Sequence, residues 1–428
     1  MYVKTNAKNS PLGQVNELCS EILRTIGVTG KCFIEFFCET MLLFLTMQCR
    51  VNYSTLARFG KSCESRFRQN FKKSFDWMAF NKTFVESGAE NRRAIAIDPS
   101  YVSKSGKHTP GVGYFWSGCA SAAKWGLELL GIALVDADDH RATMLRAVQT
   151  IKKKRGRGRP TTAQSFVKDN VLLTCYVTTL ELYKDELLEV SKNLVADAFF
   201  STQPFTDAVL SLGFNFISRF RDRTRMRYLY QGEHEKRRGP KKTYDGLVDI
   251  NNLRNDVFLT EELDWDDHKV TVHSAVVNVI ALKRNVKVVI VDFNEQDKKT
   301  QTRKIFFSTD TNMSAKDIID IYRSRFLIEF CYRDAKEYTA LTNCQSRLTA
   351  SLDFAFNMSF AAVNMASLYC RKNGIEYSLS NIKLLMHNAQ MLEKFISICG
   401  KTPHMKLIRG SNDSIFKDLL LYGLRKPA

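Results

Sequence analysis

The sequence predicts an α/β protein whose sheet-bearing centre is flanked by helical regions at both ends. Three observations carry that expectation. Apolar residues recur at helical spacing through the first ninety residues. From residue 92 the texture turns to short apolar runs bounded by Gly, Pro and Asp. Between residues 270 and 307, β-branched runs precede a capped helical pattern. A chain of 428 residues exceeds what one compact core ordinarily holds, so several domains are expected. The changes of texture set their boundaries: 1–90 helical, 91–221 strand-rich, 222–308 β-rich, 309–345 helical and 346–428 helical again.

In the first region, Leu12–Ile26 and Phe33–Met47 read as helices. Tyr53–Phe59 and Cys63–Phe75 form two helical runs joined around Gly60, the outline of a helix-turn-helix. Between Arg50 and Lys73 there are seven basic residues and one acidic residue, Glu64. Phe67, Phe71 and Phe75 would face a core while Arg66, Lys72 and Lys73 face phosphates. The competing reading is an ordinary helical hairpin with a solvated face.

The centre opens with Arg93–Ile97, a short buried strand ending in Asp98-Pro99. Val112–Gly118 and Leu127–Val135 read as two more strands, and Asp138-Asp139 as a turn. A long helix is expected over Phe166–Ser191. Leu194–Ala196 then delivers Asp197, a helix spans Gln203–Leu212, and Phe214–Arg219 closes as a strand. Strand, strand, strand, helix, strand, helix, strand is the order of a ribonuclease H-like core. The strands Val270–Val279, Val286–Phe293 and Lys304–Phe307 make a β-rich insertion, and Ser314–Lys336 is a helix opened by a capping box of Ser314 and Asp317.

Composition narrows the partners. The chain carries 63 Lys+Arg against 45 Asp+Glu, a net +18, which favours a polyanion such as double-stranded DNA. Lys152–Pro160 (KKKRGRGRP) has six basic residues, and its RGRP core, with Arg157 and Arg159, resembles the minor-groove element called an AT-hook. Eleven Cys lie scattered without paired metal-ligand spacing, which suits reduced thiols in a cytosolic protein. The N-terminus lacks a signal-peptide pattern. The apolar stretches Phe33–Met47 and Phe354–Leu368 contain Glu35 and Glu39, and Asn357, Ser359 and Asn364, so both read as buried helices and no membrane is expected.

The candidate chemistry centres on one helix. Tyr322, Arg325, Glu329 and Lys336 fall at roughly 0°, 300°, 340° and 320° around its axis. Opposite them lie Leu327, Ile328, Phe330, Cys331 and Ala335. A narrow stripe of hydroxyl, two cations and one carboxylate suits a phosphate ligand with a metal ion. Tyr322-x2-Arg325-x3-Glu329-x6-Lys336 resembles the Y-R-E-K signature of bacterial insertion-sequence DDE transposases, the IS-four family. IDPSYVSKSG around Asp98 and LVADAFFS around Asp197 resemble its two aspartate motifs. The likeness spans about residues 92–347.

That resemblance implies a ribonuclease H-like catalytic core interrupted by the β-rich insertion, and a metal-dependent enzyme that excises DNA, forms a hairpin and rejoins the end to target. Asp98, Asp197 and Glu329 would hold two Mg²⁺ ions, with Mn²⁺ expected to substitute. Asp98 would bridge both. Tyr322, Arg325 and Lys336 would grip the transposon end. Lys104, Lys107 and Arg347 are further candidate DNA contacts. A Trp in the insertion can hold a flipped base in this family. Trp265 is the candidate, although its neighbours Asp264, Asp266 and Asp267 would repel phosphate and favour a packing role. A homodimer on paired ends is expected, with the C-terminal helices as candidate dimerisation elements.

Each acid has a plainer reading: a turn former before Pro99, a helix cap at Asp197, a partner of Arg325 at Glu329. Their order and spacing together favour catalysis. The competing functions are a nuclease of the same fold without strand transfer, and a domesticated DNA-binding protein without catalysis.

Overall fold

The computed structural model describes residues 10–85, 92–152, 160–221, 224–232, 241–265, 268–293, 302–399 and 419–424. The helices α1 (Pro11–Thr25), α2 (Lys31–Thr46), α3 (Tyr53–Phe59), α4 (Glu64–Asn70) and α5 (Trp77–Lys82) lead into strands β1 (Arg93–Ser103), β2 (Gly113–Ser117), β3 (Ala122–Asp136) and β4 (Arg141–Gln149). Next come α6 (Thr162–Phe166), α7 (Val171–Leu182), α8 (Lys184–Leu188), β5 (Asn193–Val195), α9 (Gln203–Ser211) and β6 (Asn215–Arg219). The insertion supplies β7 (Met226–Leu229), β8 (Tyr244–Leu247), β9 (Leu259–Trp265), β10 (His268–Val279), β11 (Arg284–Phe293) and β12 (Thr302–Ser308). The chain closes with α10 (Ala315–Ser324), α11 (Leu327–Glu337), α12 (Thr349–Asn373) and α13 (Leu379–Cys399).

One mixed sheet runs through the molecule. Its central order is β4-β3-β1-β5-β6, with β1, β5 and β6 parallel and β3 and β4 antiparallel. This arrangement is consistent with a ribonuclease H-like transposase domain. Helices cover both faces. Ile95 and Ile97 of β1 pack with α7 and α9, while Ala94 and Ala96 face α10–α12 and the N-terminal helices. Period-two alternation therefore commits even-numbered residues of β1 to the second layer.

Several expectations are corrected. The third core strand is β4, because Asp138-Asp139 turns the chain straight back into a β3–β4 hairpin. The expected strand Val112–Gly118 is β2, a ribbon on the far half of β3. β1 does not stop at Asp98-Pro99. It continues to Ser103 because β5 pairs only with Ile95 and Ala96, so Pro99, which has no N–H, faces no ladder partner on that side. The long helix expected over Phe166–Ser191 is three short ones. Asn170 caps α7 by accepting from Leu173 N, and α7 ends at Tyr183. The insertion joins the central sheet, with β12 pairing antiparallel to β6 and β11 and β10 following.

The two helical ends of the chain pack together. Phe354 of α12 sits among Phe36, Phe37, Phe71 and Trp77, with ring centroids 4.6–6.2 Å away. Phe67 and Phe71 are buried, as their helical spacing suggested. Among the described residues no helix is long and apolar enough to cross a membrane.

The polar residues within α12 seal a sheet edge. β4 pairs with β3 on one side only. On its open side, Asn357 accepts from Ala147 N (2.9 Å) and donates to Ala147 O (3.0 Å). Two turns on, Asn364 does the same for Met144, at 3.2 and 2.9 Å. Each asparagine thus replaces a missing strand. Asn357→Leu strands both backbone groups of Ala147 in an apolar layer, so we expect a loss of about 2–4 kcal/mol by chemical denaturation. Asn357→Gln should be less damaging than Asn357→Leu if unmet hydrogen bonding is the cause.

Candidate active site

The two aspartates reach one place through the parallel pairing of their strands. Ile95 pairs with Leu194 and Ala96 with Val195. Asp98 and Asp197 each lie two residues beyond the last paired couple, close enough that the charge of Asp197 is felt at Asp98. Asp98 keeps step with Ala96 on the face that α11 covers. β5 ends at Val195, and Asp197 caps the next turn by accepting from Phe199 N at 3.0 Å.

Glu329 arrives from above, on a helix pressed tightly to β1. The Tyr332 hydroxyl, one turn beyond Glu329, shares its proton between the carbonyls of Asp98 and Leu129, each at 2.9 Å. Gly131 is the cross-strand partner of Asp98, and a Cβ there would lie 2.4 Å from that hydroxyl. Glycine at this position is what lets α11 approach.

The expected single helix over Ser314–Lys336 is broken. Ser314 caps α10, accepting from Asp317 N at 3.0 Å. The helix then tightens at Arg325–Phe326, where Ile328 N donates to Arg325 O and Glu329 N to Phe326 O, both i to i+3 bonds. Tyr322 and Arg325 therefore precede the kink, while Glu329 and Lys336 follow it. Phe330, expected on the buried side, is exposed and packs edge-on against exposed Phe326, with centroids 5.1 Å apart.

Arg325 occupies the centre. One Nη lies 3.7 Å from the Asp98 carboxylate and the other 3.1 Å from Glu329, while its buried Nε has no hydrogen-bond partner among the described residues. Burial opposes its charge, but Tyr322, Asp98 and Glu329 more than restore it. The Asp98 side chain is 21% exposed. Burial pushes its pKa up to about 7, against the pull of Arg325 and with a further push from Glu329 and Asp197.

Among the described residues no three His, Cys, Asp or Glu side chains form a ready-made metal cluster. The donor set nevertheless suits a hard divalent cation. Asp98, Asp197 and Glu329 offer oxygens only, and a cation there would offset the burial and the like charge that lift Asp98.

The other candidates separate clearly. Lys336 donates to Ser100 Oγ at 2.8 Å, and burial lowers its pKa. Tyr322 packs on Phe306 at 4.9 Å. Phe306 in turn stacks on Trp265, whose ring also meets Phe293, Lys304 and Arg323. Trp265 thus sits in an aromatic train leading to Tyr322. Lys104 is committed to the carbonyl of Cys344 in the loop after α11, and Lys107 is exposed with no partner among the described residues. Arg157 and Arg159 lie outside the described residues. Arg347 borders a cleft of about 650 Å³ shared with Tyr53, Phe71 and Arg68.

Sequence reasoning missed Tyr332, Gly131 and Glu128. Glu128 on β3 is buried, accepts from Tyr176 at 2.6 Å, and is held toward its protonated form by burial. Only a charged residue inside an apolar strand hinted at it.

An aspartate on β1, a second aspartate just past the neighbouring parallel strand and a glutamate on the covering helix thus lie near enough to act on one another's charge. Residues 161–365 match the family described as transposase DDE domain. The matched segment contains Asp197, Tyr322, Arg325, Glu329 and Lys336, and begins after Asp98. No curated protein matches the chain.

The raised pKa of Asp98 has a measurable consequence. The metal-free folded state holds that proton to about pH 7, whereas an unfolded aspartate releases it near 3.8. Folding therefore takes up a proton in this window, and stability falls as pH rises through it, levelling off above 7. The difference is on the order of 4 kcal/mol. In chelator, Asp98→Asn should remove this part of the slope of Tm against pH between 4 and 7. Parallel wild-type and variant curves would refute the coupling.

Proposed function

We propose that this chain is a DNA transposase of the Y-R-E-K insertion-sequence group. It would cut double-stranded DNA at element ends and join it to target through a hairpin intermediate, as a homodimer on paired ends. The observation that carries the reading is the arrangement around Arg325. What supports it is that Arg325 meets both Asp98 and Glu329 while Asp197 acts on Asp98 from the neighbouring strand's end, in a chain with a segment that matches a transposase DDE domain.

Each residue has a role that its surroundings support. Asp98, Asp197 and Glu329 would hold divalent metal, two Mg²⁺ ions or Mn²⁺ in their place, which supplies an activated oxygen nucleophile and a stabilised leaving oxygen. With its carboxylate partners so engaged, Arg325 is free to turn its guanidinium to phosphate, and its unmatched Nε is a donor already stripped of water. Lys336, anchored on Ser100 beside Asp98, adds a cation on the same side. The Tyr322 hydroxyl would hold a phosphate oxygen while its ring stays fixed by Phe306 and, through it, Trp265. In this reading Trp265 positions Tyr322, and Lys104 steadies the loop at Cys344. Lys107, Arg157, Arg159 and Arg347 would contact the DNA backbone.

The direct test uses duplex carrying the DNA that borders the coding region. Asp197→Ala should abolish Mg²⁺-dependent cleavage while end binding persists. Cleavage at the wild-type rate would refute the assignment. Pre-cut ends joined to a target plasmid would establish transposition; cleavage without joining would make the protein a nuclease. Lys336→Ala should weaken end binding and lower its dependence on salt by about one counterion, and an unchanged salt slope would remove Lys336 from the phosphate contacts.

A further inference from the structure

The β2–β3 ribbon carries an exposed aromatic face for which the chemistry above has no use. Alternation along β2 buries Phe115 and Ser117 and exposes Tyr114 and Trp116, which are 65% and 64% exposed. On β3, Trp125 is the direct cross-strand partner of Tyr114 and is 36% exposed. These rings are edge-on, with centroids 5.4 Å apart. Opposite Trp116 stands Ala123, which leaves the outer ring unobstructed. Three large rings therefore share one face of a two-stranded ribbon, where a water-facing surface would carry polar residues.

The ribbon lies against the catalytic strand. Gly126 pairs with both Ser103 of β1 and Gly113 of β2, and a Cβ at Gly126 would meet the Tyr101 ring and the Val102 carbonyl, each at 2.5 Å. The Tyr101 hydroxyl donates to Trp125 O at 2.5 Å. The ribbon tip carries Cys119, which lies near Lys336. Lys336 itself rests on Ser100, two residues from Asp98.

Charge identifies the occupant. No acidic residue lies between Asp98 and Glu128, nor between Asp139 and Asp169. On the ribbon's other face, Lys124 pairs across from Phe115, and Lys152 lies over the Phe115 ring at 4.2 Å while donating to Tyr114 O. Bare ring faces on a ribbon backed by lysines match a partner with flat apolar faces and a polyanionic backbone. A paired duplex hides its base faces, whereas an unpaired strand offers them.

We propose that Tyr114, Trp116 and Trp125 form a stacking platform for unpaired bases of the DNA strand that leaves the active site. The proposal rests on the transposase reading and adds a strand-specific contact to it. Opening the duplex at a cut end exposes bases, and a platform beside Lys336 would keep them from re-pairing.

The test compares an oligothymidylate with the same strand annealed to oligoadenylate, using the full chain. Wild-type tryptophan emission should be quenched by the single strand. Trp116→Ala and Tyr114→Ala should each weaken single-strand binding about tenfold while leaving duplex affinity within roughly twofold. Both side chains are exposed, so an unchanged Tm should accompany these results. Equal loss for both DNA forms, or no loss for either, overturns the platform but leaves the transposase reading standing. If Trp116→Ala dissolves a dimer and leaves both affinities intact, the face belongs to a second copy of the chain and the proposal fails. If the wild type binds neither form, both readings fail.

Discussion

Negative charge gathered away from water is the constraint around which this protein is arranged. Asp98 lies deep enough that burial alone disfavours its ionised form, and Asp197 and Glu329 add like charge from neighbouring elements. Arg325 holds this group together by meeting Asp98 and Glu329 at once. An arrangement that depends on one guanidinium is poised for exchange.

Such a group needs rigid support, and the fold supplies it through backbone contacts. The Tyr332 hydroxyl ties α11 to the carbonyls of β1 and β3, at a point where Gly131 leaves space. β4, the outer strand of this half of the sheet, is sealed by Asn357 and Asn364 of α12. α12 also receives Phe36, Phe37, Phe71 and Trp77 through Phe354, so the N-terminal helices and the central sheet share one apolar layer. A shift in those distant helices would be felt at Glu329 because close-packed interiors transmit displacement.

On the other side of the site, the insertion continues the sheet from β6 through β12 to β10. Its aromatic residues Trp265 and Phe306 reach back to Tyr322 just before the helix kink. The α10–α11 pair is therefore held on both sides of its break: α11 by Tyr332 on the central sheet and α10, through Tyr322, by Phe306 on the insertion. Between these supports lies the tightened turn at Arg325–Phe326, where a change of pairing at Arg325 would be felt first.

The sequence alone determined the element types over most of the chain, because periodicity is a local property. It also marked Phe67 and Phe71 as core and the asparagines of α12 as lying within a buried helix. Tertiary structure decided what depends on partners. It made β4 the third core strand, carried β1 past Pro99, broke the helices at Asn170 and Arg325, and merged the insertion with the central sheet. No local pattern encodes which edge a strand will meet. Nor could spacing reveal that Gly131 clears a path for Tyr332, or that Tyr114, Trp116 and Trp125 share a face. Those facts arise from cross-strand register, which exists only once distant segments have paired.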